Sequence, residues 1–377
     1  MLSKPGSIFY CHTNTFALVP TERLSIDAFL HTASGALLLD VRSPGEYNHA
    51  HIPGAISFPL FTDDERAVVG TAYKQQSREQ AIKIGLDYFG PKMRLMIEEV
   101  EALLKARQTT SKTIAVYCWR GGMRSSAVAW LLNMYGFNLF VLQGGYKRFR
   151  QWVFEKLAQP YHLKLIGGYT GSGKTELLHH LETQGETIID LEGLASHKGS
   201  AFGNIGLPGQ PTQEQFENKL AMAFYATENP ADNDSNFFKT PCAIWIEDES
   251  QRIGTINIPA AFWQTMRAAP VYFLDIPFEQ RLQHLVAEYG CLNKAQMIEA
   301  ILRIAKRLGP METKNAVRFL EEGATGESFR ILLQYYDKQY RKALHNRQNL
   351  SNLLHQIHCE TVSTANAQLL SKPMTPS

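Results

Sequence analysis

The stretch Gly168-Tyr169-Thr170-Gly171-Ser172-Gly173-Lys174-Thr175 satisfies G-x-x-x-x-G-K-[ST] in full, and few patterns restrict a fold as tightly. To wrap a phosphate, such a loop must turn its backbone N–H groups inward, with a strand ending just before it and a helix opening just after. Both neighbours are present: an apolar run at His162–Ile166 predicts the strand, and helical periodicity follows to about Leu181. Gly168, Thr170, Gly171, Ser172 and Gly173 form the expected diphosphate cradle, Lys174 adds a point charge, and the Thr175 hydroxyl suits Mg²⁺. An acid is expected close to that metal. Glu247 and Asp248 at the end of one apolar run and Asp190 at the end of another are the candidates. Arg281 can approach a phosphate or pair on a helix surface.

A loop of this kind needs a parallel sheet around it, and the chain supplies more strands than one such sheet uses. Strands are predicted at Thr187–Leu191, Ala243–Glu247 and Val271–Ile276 beside the P-loop strand. Further upstream, Ala36–Val41, Thr113–Cys118 and Asn138–Leu142 read as a separate set, with a helix at Ser125–Tyr135 that Gly136 ends. The stretch Asp64–Arg107 reads as mostly helical, broken at Gly90–Pro91. Beyond about Lys294 the pattern is helical without strand partners, as at Gln296–Leu308 and Glu327–Leu344. The fold class is therefore α/β. The first parallel-sheet domain is expected at 1–145, a linker helix at 146–160, a P-loop α/β domain at 161–293 and a helical C-terminal region at 294–377. The polar run 229–236 reads as a loop and the last few residues as a disordered tail.

The second chemical centre is Cys118-Trp119-Arg120-Gly121-Gly122-Met123-Arg124-Ser125, between a predicted buried strand and a helix. Inward backbone N–H groups, the positive end of the helix dipole, and Arg120 and Arg124 all favour thiolate over thiol. Cys118 is thus a candidate nucleophile within an anion-binding loop.

Asp40-Val41-Arg42-Ser43-Pro44-Gly45-Glu46-Tyr47 with His51-Ile52-Pro53-Gly54-Ala55, followed by the Cys118 loop, resembles the rhodanese family over roughly the first 150 residues. The resemblance implies a chalcogen carried on Cys118, while Asp40, Arg42 and His51 are expected to brace the fold. One departure is visible. Rhodanese loops place the arginine five residues after the cysteine, and here Arg124 is six after. Cys-x5-Arg is the spacing of phosphatase and arsenate-reductase loops, and suggests an anion of phosphate size.

The two centres together resemble the tRNA 2-selenouridine synthases. Asp190–Ala195, His197–Ser200 and Glu247–Gly254 join Cys118–Ser125 and Gly168–Thr175 in carrying that resemblance. It implies S-geranylation of a wobble 2-thiouridine with geranyl diphosphate, then exchange of geranylthio for selenium from selenophosphate, with Cys118 taking selenium as a Cys–Se–H species. The partners it implies are the tRNAs for lysine, glutamate and glutamine, bound by a monomer. The mingled basic and aromatic runs Tyr146–Arg150 and Tyr335–Arg347 are candidate RNA contacts, by phosphate pairing and base stacking.

Composition closes off other classes. The five cysteines contain no Cys-x-x-Cys pair, which disfavours a zinc site or a disulfide framework and points to a reducing cytoplasm. No signal-peptide pattern opens the chain, and no apolar run is long enough to span a bilayer. A net charge of +2 neither demands nor forbids nucleic acid. Three rival readings stand at this level: a P-loop kinase or NTPase with a regulatory rhodanese-like domain, a Cys-x5-Arg phosphatase or arsenate reductase, and a non-catalytic tRNA-binding protein.

Overall fold

The computed structural model describes residues 21–229 and 243–370. The chain divides into two compact units, Met1–Arg150 and Gln151–Ser377. The predicted loop beyond Asn229, the C-terminal tail, Cys11 and Cys242 lie outside the described residues.

The first unit is built on five parallel strands in the order β1-β5-β4-β2-β3. They are β1 (Glu22–Leu24), β2 (Leu37–Asp40), β3 (Ile56–Ser57), β4 (Thr113–Tyr117) and β5 (Asn138–Leu142). β2 is buried along its whole length and β4 at every residue but the first, as strands covered on both faces require. Between β3 and β4 run the helices Asp63–Gln75, Arg78–Phe89 and Met93–Ala106, broken at Gly90–Lys92 as predicted. Thr62 starts the first with a capping box: its hydroxyl accepts from Glu65 N–H, and the Glu65 carboxylate accepts from Thr62 N–H.

The second unit holds another five-stranded parallel sheet, ordered β12-β11-β6-β8-β7. Its strands are β6 (Leu163–Gly168), β7 (Thr187–Ile189), β8 (Ile244–Glu247), β11 (Val271–Asp275) and β12 (Leu354–His358), and β9 (Arg252–Ile253) with β10 (Ile256–Asn257) forms a small antiparallel pair. After β6 the chain fills one side of it with β7 and β8, then crosses to the other with β11. That reversal opens a crevice at the carboxyl end of β6, where the P-loop lies.

One expectation needs correction. Residues 294–377 are helical over most of their length, but β12 returns from that region to pair with β11. Its sequence, Leu-His-Gln-Ile-His, alternates weakly because an edge strand has one half-exposed face, so it carries no buried-strand signature. The predicted linker helix runs Gly145–Leu157. Its first half buries Tyr146 and Phe149; in its second half Trp152 packs edge-on against Tyr225 and Lys156 pairs with Glu228.

Candidate active sites

In the first unit, β4 delivers Cys118 to the carboxyl edge of the sheet, and the helix Met123–Tyr135 opens five residues later. Cys118 is buried, and its Sγ lies 3.2 Å from the Ser125 hydroxyl. From Trp119 to Ser125 no backbone N–H donates to a protein acceptor among the described residues, which is the condition of a loop built to receive an anion. Its carbonyls, by contrast, are engaged: Cys118 O accepts from Tyr146 N–H at 2.8 Å, Trp119 O from Lys147 N–H at 3.0 Å, and Gly121 O from Arg23.

Two glycines make the loop's close packing feasible. Gly121 sits at φ +63° and Gly145 at φ +60°, where a side chain is strained. A Cβ on Gly145 would stand 2.3 Å from Cys118 O and 2.4 Å from Gly121 N. Arg120 is exposed, along with Trp119 and Met123. Arg124 is half-buried, and one of its guanidinium nitrogens donates to Glu46 at 2.7 Å. Burial pushes the Glu46 carboxyl up, yet the bond from Arg124 and the contacts with Ser43 and Arg66 outweigh it and hold the group below the ordinary carboxylate range. The motif residues that were expected to brace the fold do so. Arg42 forks onto Asp40, reaches Ala50 O, and lies 3.8 Å from the Tyr146 ring centre; His51 stacks on Tyr47.

In the second unit, the P-loop leaves β6 and ends in the helix Lys174–Thr183. Gly171 and Gly173 adopt positive φ, and Lys174 Nζ folds over the loop to Gly168 O at 3.1 Å. The Ser172 hydroxyl is buried with no protein partner among the described residues. The loop is held from outside. Arg281, 3% exposed, donates to Thr170 O and to Ile276 O, forks onto Asp337 at 2.9 and 2.7 Å, and lies against the Tyr169 ring. Tyr340 accepts from Gly168 N–H and donates to Asp248. Arg281 therefore shapes the loop through its carbonyl and does not reach for phosphate.

The three predicted acids are placed differently from one another. Asp190 caps the short helix Leu191–Ala195 through Gly193 N–H and touches His179. Asp248 is committed to Tyr340 and to the buried Arg347. Glu247 is fully buried and accepts from Leu191 N–H, its second oxygen having no partner among the described residues. The carboxylate that meets the P-loop is Glu192, which accepts from the Thr175 hydroxyl at 3.0 Å. Glu249 converges with it: a Cβ on Gly199 would meet Glu192 Oε1 at 2.7 Å and Glu249 Oε2 at 2.8 Å. Burial and the Glu249 charge push the Glu192 carboxyl up to about 9. The sequence reading passed over Glu192 because it follows a three-residue strand inside a helix-like run. Its place in the segment Asp190–Ala195, which carries the family resemblance, was the signal that could have found it.

Thr175, Glu192, Asp248 and Glu249 line a cleft of about 1580 Å³. Its walls include the P-loop, Glu192, Lys198 and Glu249, and an apolar side made by Phe202, Leu285, Ile304, Phe329 and Leu332. A hydroxyl with two carboxylates is an all-oxygen donor set that fits a hard divalent cation such as Mg²⁺.

Three of the five aromatics expected to stack on bases are engaged elsewhere, while Tyr335 and Tyr336 are half-buried in the wall of the cleft. Tyr146 and Phe149 are buried, and Tyr340 is turned onto the P-loop. What remains exposed on the helix Thr325–His345 is a basic stripe: Lys338, Arg341, Lys342 and His345. Among the described residues no helix is long and apolar enough to cross a membrane.

Comparison with known proteins agrees with this geometry in both units. Residues 27–151 match the rhodanese-like domain family, and residues 161–369 match the family described as the tRNA 2-selenouridine synthase AAA domain. A tRNA 2-selenouridine synthase of Bdellovibrio bacteriovorus is 32% identical over 82% of this chain and 89% of its own. One from Cronobacter sakazakii is 40% identical over 70% of this chain and 67% of its own. One from Nitrosomonas europaea is 35% identical, the match spanning 67% of this chain and 63% of that protein. With a Cys-x5-Arg loop on one parallel sheet, a P-loop on the other, and both matched in order, the chain belongs to the tRNA 2-selenouridine synthase family.

Proposed function

We propose that this enzyme replaces the sulfur of a wobble 2-thiouridine in tRNA by selenium, in two steps served by its two loops. The observation that carries the reading is the pairing of two anion-binding loops with different equipment. One has a buried thiol and an arginine; the other has a lysine, a hydroxyl and two carboxylates beside an apolar wall.

In the first step the P-loop cleft takes geranyl diphosphate. The N–H groups of Gly171–Thr175 and the Lys174 ammonium hold the diphosphate, and the apolar side offers a place for the hydrocarbon. The uridine sulfur attacks the geranyl carbon, the carbon–oxygen bond breaks, and pyrophosphate leaves with its charge held by the same donors. Thr175, Glu192 and Glu249 would hold Mg²⁺, which would add charge stabilisation to the leaving group. In the second step selenophosphate, an anion of phosphate size, enters the Cys118 loop. Its selenium displaces geranylthiolate from the base. The RNA is the tRNA for lysine, glutamate or glutamine, with the stripe Lys338, Arg341, Lys342 and His345 offered to its phosphates. The protein acts as a cytoplasmic monomer in this reading.

Mass spectrometry of nucleosides from 2-thiouridine-containing tRNA tests it directly, with geranyl diphosphate, Mg²⁺ and selenophosphate supplied. Wild type should give 2-selenouridine, Cys118→Ala should S-geranylate but make no 2-selenouridine, and Lys174→Ala should leave 2-thiouridine untouched. Steady ATP consumption with neither nucleoside formed would transfer the assignment to a P-loop NTPase.

A further inference from the structure

We infer that Cys118 is a phosphoryl acceptor, forming an S-phosphocysteine, and not a carrier of selenium. The inference rests on the selenium-transfer reading above and concerns what the thiol does within it.

The first argument is electron balance. In selenophosphate the selenium is already at the selenide level. Making a Cys–Se–H species from a thiolate and that selenium would remove two electrons, and neither the protein nor the two substrates supplies an oxidant. Phosphoryl transfer needs none. The Cys118 thiolate attacks phosphorus, an S–P bond forms, and the P–Se bond breaks with its electron pair leaving on selenium. That selenium is the one joined to C2 of the uridine, so its release gives 2-selenouridine. Water then attacks phosphorus, the S–P bond breaks, inorganic phosphate leaves, and the thiolate is restored while the water proton passes to solvent.

The second argument is the loop itself. A transferring phosphoryl group presents three equatorial oxygens in a plane, and a catalyst must offer donors around them. Among the described residues the N–H groups from Trp119 to Ser125 have no protein acceptor, and they lead into a helix of thirteen residues whose N-terminus faces the loop. Arg124 sits six positions after the thiol and is fixed by Glu46 through a single nitrogen, leaving the rest of its donor fork for oxygens. A bare sulfane selenium has no oxygens to use such an array.

The third argument is the hydroxyl on the sulfur. Ser125 Oγ lies 3.2 Å from Cys118 Sγ and 3.1 Å from Gly122 O. In the resting site its proton goes to Gly122 O, and rotation of the hydroxyl turns that proton onto a developing thiolate. It therefore assists the step in which sulfur leaves phosphorus, since the departing thiolate carries the charge.

The test uses the full chain with selenophosphate labelled by phosphorus-32, geranylated tRNA, and rapid quenching before peptide mapping. The two adducts weigh nearly the same, so the label and selenium's isotope pattern decide between them. Wild type should show phosphorus label on the Cys118 peptide early in turnover, and Cys118→Ala none. Ser125→Ala removes one buried hydroxyl. It should slow release of phosphate by about tenfold or more, the scale of a lost transition-state donor, and should accumulate the labelled adduct. Selenium isotopes on Cys118 without phosphorus label would overturn the inference. So would 2-selenouridine formation with no labelled adduct in either wild type or Ser125→Ala. If wild type makes no 2-selenouridine at all, the underlying selenium-transfer reading fails, and this inference with it.

Discussion

The ion pair between Arg281 and Asp337 should be the main external support of the P-loop, and removing its acid is a quantitative test. Arg281 is almost wholly buried, and among the described residues Asp337 is the one carboxylate bonded to it, by two bonds under 3 Å. Asp337→Ala leaves a buried guanidinium without its counter-charge, a change that costs about 3–5 kcal/mol in proteins. Thr170 O and Ile276 O still accept from Arg281, so the lower figure applies here. For a unit of this size, about 3 kcal/mol corresponds to a fall in melting temperature of roughly 6–12 °C. Calorimetry of the full chain should show that fall in the transition of the second unit alone. Pyrophosphate affinity should drop with it, because Arg281 shapes the loop through Thr170. The double variant Arg281→Met with Asp337→Leu should recover much of the stability, since apolar replacement of a buried pair is close to neutral, but not the affinity. A melting temperature for Asp337→Ala within about 2 °C of wild type would refute the reasoning.

Three further outcomes are expected. Gly145→Ala places a Cβ against the Cys118 and Gly121 backbone at φ +60°, costing about 1–2 kcal/mol in conformation alone; nucleoside analysis should show S-geranylation continuing while selenium exchange is lost. In protein freed of divalent cations, the folded state keeps the Glu192 proton up to about pH 9, whereas the unfolded chain releases it in the ordinary carboxylate range. The unfolded state then binds fewer protons in between, so stability falls as pH rises through that window; denaturant unfolding should show a shallower fall for Glu192→Gln. Reversing Lys338, Arg341 and Lys342 to Glu should weaken tRNA binding and reduce its logarithmic salt slope by about 2–3, as loss of three phosphate contacts requires. Fluorescence anisotropy across a salt series measures both, and an unchanged slope would remove the stripe from the RNA surface.

Much of this protein was legible because its chemistry is local. A P-loop is eight consecutive residues whose glycines, lysine and threonine act through the backbone they belong to, so the string 168–175 carried its own geometry. The Cys118 loop is the same kind of object: thiol, Arg124 and Ser125 lie within one turn of chain and one helix start. Apolar runs fixed the buried strands, since a strand covered on both faces has no other composition available. The edge strand Leu354–His358 escaped because one exposed face dilutes that signal.

What the tertiary structure alone decided is which distant residues complete each loop. The sheet order brings Glu192 to Thr175 and turns Asp190 and Asp248 to other tasks, and no spacing rule distinguishes carboxylates at two neighbouring strand ends. Helix Thr325–His345 likewise reads as one basic and aromatic run. Packing divides it into an inner face that holds Gly168 and Arg281 and an outer face of exposed cations. A sequence gives the period of a helix but not the direction of its partner. The physical reason is that these roles depend on through-space contacts between residues from 17 to 172 positions apart in the chain, where only the completed fold sets the distance.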